Sequence, residues 1–132
     1  MFTRMGRREA ASVLVAAVLW QTGCSLFRPG PGETVRRFYT SVAKGKADEA
    51  LGYVHPGARS RLGDNKLRMA MLAMQEEIGE HGGLTQVQIS EEKIQGNQAQ
   101  VESRLSMKDG NVQTTRDKLV RLEGRWYLDI SK

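Results

Sequence analysis

Cysteine is almost absent from this chain: Cys24 is the only one among 132 residues. One thiol cannot close an internal disulfide, and an odd thiol in an exported chain calls for its own explanation. Long apolar runs are absent too. The longest, Ala10 to Trp20, has 11 residues. As a helix it would rise about 16 Å, roughly half of the ~30 Å hydrocarbon layer, which is too short for a permanent span. Charge of one sign is also in short supply. Lys and Arg number 20 against 15 Asp and Glu, a formal net charge of +5. Arg4, Arg7, Arg8 and Glu9 precede the cysteine, so the part from Cys24 onward carries +3. That excess does not indicate nucleic acid. No Ser-His-Asp set is visible, no pair of carboxylates is clearly directed into the core, and no internal repeat is evident.

What is present begins at the N-terminus. Arginines 4, 7 and 8, the apolar run, and then Gln21-Thr22-Gly23-Cys24 follow in the order of a bacterial lipoprotein export signal. The apolar length fits the ~7–15-residue core of a cleavable leader. Gly23 leaves room for a peptidase, and Gln21 stands where an aliphatic residue is usual. Residues 1–23 are therefore expected to be a signal peptide and Cys24 the lipidated mature N-terminus. A leftover thiol behind a differently cleaved leader is the alternative. Two or more acyl chains such as palmitate anchor a protein stably where one does not, because each buried methylene contributes about 0.8 kcal/mol. Ser25 in place of Asp points to the outer membrane, facing the periplasm, in a Gram-negative envelope. The Arg7-Arg8 pair leaves export by the twin-arginine route open.

Residues 24–32 are expected to form a tether, since Pro29, Gly30, Pro31 and Gly32 oppose regular structure. Residues 33–132 then read as one α+β domain. Val35, Phe38, Tyr39 and Val42 recur at helical spacing, with Gly45 as a left-handed cap. A short second helix spans Ala47 to Val54, with Ala50, Leu51 and Val54 on one side, and His55-Pro56-Gly57 stops it. A third, capped by Asp64 or Asn65, runs to about Glu80, its buried stripe being Leu67, Met71, Met74 and Ile78. From Leu84 the period changes to two. Val87 and Ile89 alternate with polar residues, and Ala99, Val101, Ser103, Leu105 and Met107 alternate with Gln98, Gln100, Glu102, Arg104 and Ser106. Gly96-Asn97, Asp109-Gly110 and Glu123-Gly124 mark turns. Val112 to Leu122 is the third strand, and Trp126, Leu128 and Ile130 form the apolar face of the fourth. Three helices packed on a four-stranded antiparallel meander is the expected α+β architecture.

Three segments carry a family resemblance: Pro-Gly-Glu-Thr-Val-Arg-Arg-Phe-Tyr at 31–39, Lys-Gly-Lys-Ala-Asp-Glu-Ala-Leu at 44–51, and Gly-Arg-Trp-Tyr-Leu at 124–128. Together they resemble uncharacterised bacterial lipoprotein domains of the nuclear transport factor 2-like (cystatin-like) superfamily. The resemblance implies a cone whose helix–sheet interior holds a pocket, in which the superfamily's enzymes place Asp, His, Tyr or Arg. Tyr39, Tyr53, His55 and Trp126 are then the candidate pocket or rim residues. By strand parity, Tyr127 and Asp129 face away from Trp126, Leu128 and Ile130, which makes Asp129 an outer-face residue. His81 ends a helix, where its charge suits the dipole. Met69, Met71 and Met74 invite a soft-metal reading, but Met69 projects roughly 160° from Met71, so core packing is expected and no metal site. Arg36, Arg37, Arg59, Arg61, Lys66 and Arg68 form a solvated face or a basic rim for phosphate-bearing lipid or an acidic partner.

The expected function is a lipid-anchored cell-envelope binding or accessory module without catalysis and without a cofactor. Its expected partners are the membrane, and an envelope protein or a small hydrophobic ligand. The alternatives are a small-pocket enzyme using Tyr39 or His55, and a structural spacer in an envelope complex.

Overall fold

Pro31 starts the first helix because its fixed φ suits the first helical position and its missing N–H has no partner to lose there. In the computed structural model, which describes residues 28–130, helix α1 spans Pro31–Ala43. It begins two residues earlier than the Glu33 expected, so Pro31 and Gly32 are buried helix rather than tether. Its N-cap, Gly30, supplies no side chain, and the sheet supplies the cap instead. Glu92 Oε1 accepts from Gly32 N at 3.0 Å across 60 positions of chain. Val35, Phe38, Tyr39 and Val42 all enter the core. The helix ends at Gly45, whose φ of +75° disfavours a side chain. There an added Cβ would stand 2.7 Å from Gln75 Nε2.

Helix α2 covers only Ala47–Leu51, and Val54 leaves it to form a parallel bridge with Leu128. Pro56 does more than stop that helix. It opens another, α3 (Pro56–Leu62), with His55 as N-cap, its Nδ1 accepting from Gly57 N at 3.0 Å. This additional helix was not expected, because Ala58 is its only buried residue and no apolar stripe announces it. Helix α4 follows at Asp64–Glu80, with Leu67, Met71 and Ile78 buried and Met74 partly so. Neither Asp64 nor Asn65 caps it. Asp64 instead takes a two-pronged bond from Arg59, at 3.0 and 2.8 Å, which ties α3 to α4. Met69 is 73% exposed, on the side away from Met71.

The sheet is the expected meander, β1 (Leu84–Gln95), β2 (Gln98–Met107), β3 (Val112–Leu122) and β4 (Arg125–Leu128), in the order β1-β2-β3-β4. Its helix-facing side buries Val87, Val101, Leu105, Met107, Leu119 and Leu128. An irregularity between Ile89 and Glu91 shifts the parity of β1, so Glu92 and Ile94 join that side opposite Val101 and Ala99. The free edge of β4 is covered by the Tyr53–His55 segment, through Leu128 N to Tyr53 O at 2.7 Å and His55 N to Leu128 O at 2.9 Å. That contact brings Tyr53 and His55 beside the last strand.

Candidate functional site

The row Glu92–Val101–Asp117 runs across the helix-facing side of three neighbouring strands. At about 4.8 Å per strand, its two carboxylates stand two strands, or about 10 Å, apart. Of the two, Asp117 is half-buried while Glu92 stays exposed, so this row directs only one carboxylate into the core. Both are engaged by α1. Glu92 accepts from the Gly32 amide, and Asp117 Oδ2 accepts from the Tyr39 hydroxyl at 3.0 Å. Val101 between them is 1% exposed, and Ser103 in the next row is fully buried against the Thr115 hydroxyl.

Burial raises the Asp117 carboxyl above the usual carboxylate range, with donors from Tyr39 and Thr115 opposing the shift. Burial, followed by the charge of Asp117, pushes the Tyr39 hydroxyl far above the usual phenol range. Tyr39 is therefore a permanent donor, and the pair works as a helix–sheet clamp. No buried side-chain polar atom lacks a partner among the described residues.

The concavities lie elsewhere. One of about 310 Å³ opens where the start of α1, the Tyr53 segment and the β3–β4 turn meet, and Arg28, Arg37, Tyr53, Glu123 and Trp126 line it. Trp126 is 8% exposed and carries the Arg121 guanidinium 5.2 Å above its ring. A second, of about 430 Å³, extends along α1 and shares Arg37 and Tyr53 with the first. Grooves of about 490 and 370 Å³ cross the solvent face of the sheet.

Of the four candidate residues, Tyr53 and Trp126 meet in the rim concavity. Tyr39 points inward to Asp117. His55 stays apart as the α3 cap, its ring edge-on to Tyr127 at 6.3 Å. Asp129 faces outward with Gln98 and Lys118, as parity required. Cys24 lies outside the described residues. The basic belt inferred around the first and third helices is largely paired: Arg36 with Glu33 at 2.6 Å, Arg59 with Asp64 at 2.8 Å and Arg68 with Asp48 at 2.9 Å. Arg61 donates to the Ile130 carbonyl. Among the described residues no group of three or more His, Cys, Asp or Glu is placed to hold a metal ion. No helix of those residues is long and apolar enough to cross a membrane.

Asp117 and Arg28 escaped the sequence reading. Counting in twos from Leu119 puts Asp117 and Thr115 on the helix side, but the charged neighbours Arg116 and Lys118 masked that alternation. Arg28 lies in a Pro/Gly-rich stretch, and only the fold brings it to the turn at Gly124.

Residues 23–129 match the family described as Domain of unknown function (DUF4878). Among solved structures, a Campylobacter jejuni protein described as an NTF2-like transpeptidase superposes with a TM-score of 0.71 at 15% identity, covering 78% of this chain and 100% of its own. A SEC-C motif containing protein from Rhodopseudomonas palustris aligns at 18% identity over 71% of this chain and 70% of its own, but its TM-score of 0.46 supports no inference. No curated protein matches the sequence.

Proposed function

Because the chain belongs to the DUF4878 family and has the NTF2-like fold, we propose that it is a lipid-anchored binding module of the cell envelope, without chemistry of its own. The observation that carries this reading is the closure of the cone. The two carboxylates of the helix-facing row, Glu92 at its exposed end and the half-buried Asp117, are bonded to α1, and Val101 between them is buried. A general acid or base must reach its substrate within hydrogen-bond distance, and Asp117 faces a tyrosine there. The open surface is at the rim, where the partly exposed Tyr53 and the edge of the buried Trp126 lie between arginines. Acylation of Cys24 would hold that rim at a bilayer.

Fractionation of cells carrying Cys24→Ser tests the anchor: the variant is expected to leave the membrane fraction, and unchanged fractionation contradicts it. Rescue of a deletion strain tests the second half. Folded Asp117→Asn is expected to rescue as well as the parent. Failure of that folded variant would favour the other reading, a small-pocket enzyme, for which the raised, half-buried carboxyl of Asp117 is the supporting observation.

A further inference from the structure

The charge on this domain is unevenly placed. Six cationic and three acidic side chains line the two concavities that meet at Arg37 and Tyr53. The two grooves on the sheet's solvent face carry Lys93, Arg116 and Lys118 against Glu91, Glu102 and Asp129. Among the described residues Arg28 forms no salt bridge. Its guanidinium lies over Gly124, so close that a Cβ there would stand 2.6 Å from Nη1. Arg37 reaches Glu33 only at 3.5 Å and stays half-exposed. Glu123 adds one carboxylate to the same wall.

Position matters as much as sign. Cys24 precedes Arg28 by four residues, and four residues span at most about 14 Å when fully extended. The headgroup layer is roughly 5–8 Å deep on each side of the hydrocarbon. If Cys24 carries lipid, the chain cannot hold this arginine-lined rim far from the phosphates of the membrane in which it is anchored.

We infer that the concavity between Arg28, Arg37, Tyr53 and Trp126 is a headgroup site, taking the phosphate of an anionic phospholipid in the anchoring membrane. This rests on the anchored reading above. The two guanidiniums supply charge-assisted donors to the phosphate oxygens, Tyr53 gives a partly exposed amphipathic ring that suits the interface, and the buried Trp126 forms the floor. An anchor and a headgroup site four residues apart act as two membrane signals and fix which end of the domain faces the bilayer.

The test uses the chain from residue 24 with Cys24→Ser, which contains every core residue, in flotation with phosphatidylglycerol–phosphatidylcholine vesicles at physiological salt. Each basic group near an anionic surface contributes about fivefold in affinity, so Arg28→Gln with Arg37→Gln is expected to weaken binding about 25-fold. Both residues are exposed, and an unchanged melting temperature would confirm that the variant is folded. Lys93→Gln with Lys118→Gln removes the same charge from the sheet's solvent face and is expected to cost less than about twofold, since screening ends the field within ~8–10 Å. Equal weakening by both pairs, or no binding by the parent, overturns the site. Saturation by free inorganic phosphate without vesicles, followed by the Trp126 indole signal, overturns the lipid assignment in favour of a soluble anion. Mass analysis of Cys24 from cells separates the two claims. Acylated Cys24 without vesicle binding removes the headgroup site alone, and bare Cys24 with pocket-dependent binding removes the anchor alone.

Discussion

Tyr39→Phe removes one oxygen and keeps the ring that packs edge-on against Phe38 at 5.1 Å. The lost hydroxyl is the donor to Asp117 at 3.0 Å. A hydrogen bond to a charged group contributes about 1.5–3 kcal/mol. Asp117 is half-buried and retains Thr115, so the lower end applies, about 1.5–2 kcal/mol at pH 7. At about 4–5 °C per kcal/mol for a domain of this size, the melting temperature should fall by about 6–10 °C. In an Asp117→Asn background the acceptor is neutral, and the same change should cost only about 0.5–1.5 kcal/mol. The pH dependence has a definite sign. Because burial raises the Asp117 carboxyl, the folded state holds that proton more tightly than the unfolded one. Its contribution is full below the ordinary carboxylate value and is lost as pH rises through the raised one. Asp117→Asn should therefore gain stability relative to the parent between pH 3 and pH 7. Thermal unfolding followed by circular dichroism across that range measures all four chains. An equal cost of Tyr39→Phe in both backgrounds, with no pH trend in the difference, would refute the clamp.

Gly124→Ala places a side chain at φ +80° and under the Arg28 guanidinium. It should cost about 1–2 kcal/mol in thermal unfolding and should also weaken vesicle flotation, whereas a purely local turn effect would leave flotation unchanged. His55→Ala deletes the acceptor for the Gly57 amide and should lower stability by about 0.5–1 kcal/mol, with rim binding intact. Leu119→Ala, at a site 1% exposed between the strands and helices, should cost about 2–5 kcal/mol in denaturant unfolding.

Much of the fold was legible because the two periods are clean where one face is buried. Phe38, Val42, Leu67, Met71 and Ile78 repeat at helical spacing, and Ala99 through Met107 alternate without a break. The helix Pro56–Leu62 was not legible, since a segment with one buried residue has no stripe and its opening proline reads as a stop. The start of α1 was misplaced for a related reason. Pro-Gly-Pro-Gly opposes helix locally, yet Glu92 caps Gly32 from a strand 60 positions away. The rim was half legible. Tyr53 and Trp126 stood out as aromatics near turns, but their meeting depends on the pairing of the Tyr53–His55 segment with β4. Local pattern carries no record of such tertiary pairing. The pairing of the arginines was not legible either, because a charge list cannot show that Asp64 holds Arg59 or that Asp48 holds Arg68.

Intact mass spectrometry of the chain extracted from its native membrane tests the anchor most directly. The expected species begins at Cys24 and carries acyl mass on that residue. A mature chain beginning at any other residue, or with an unmodified Cys24 sulfur, would contradict the anchor.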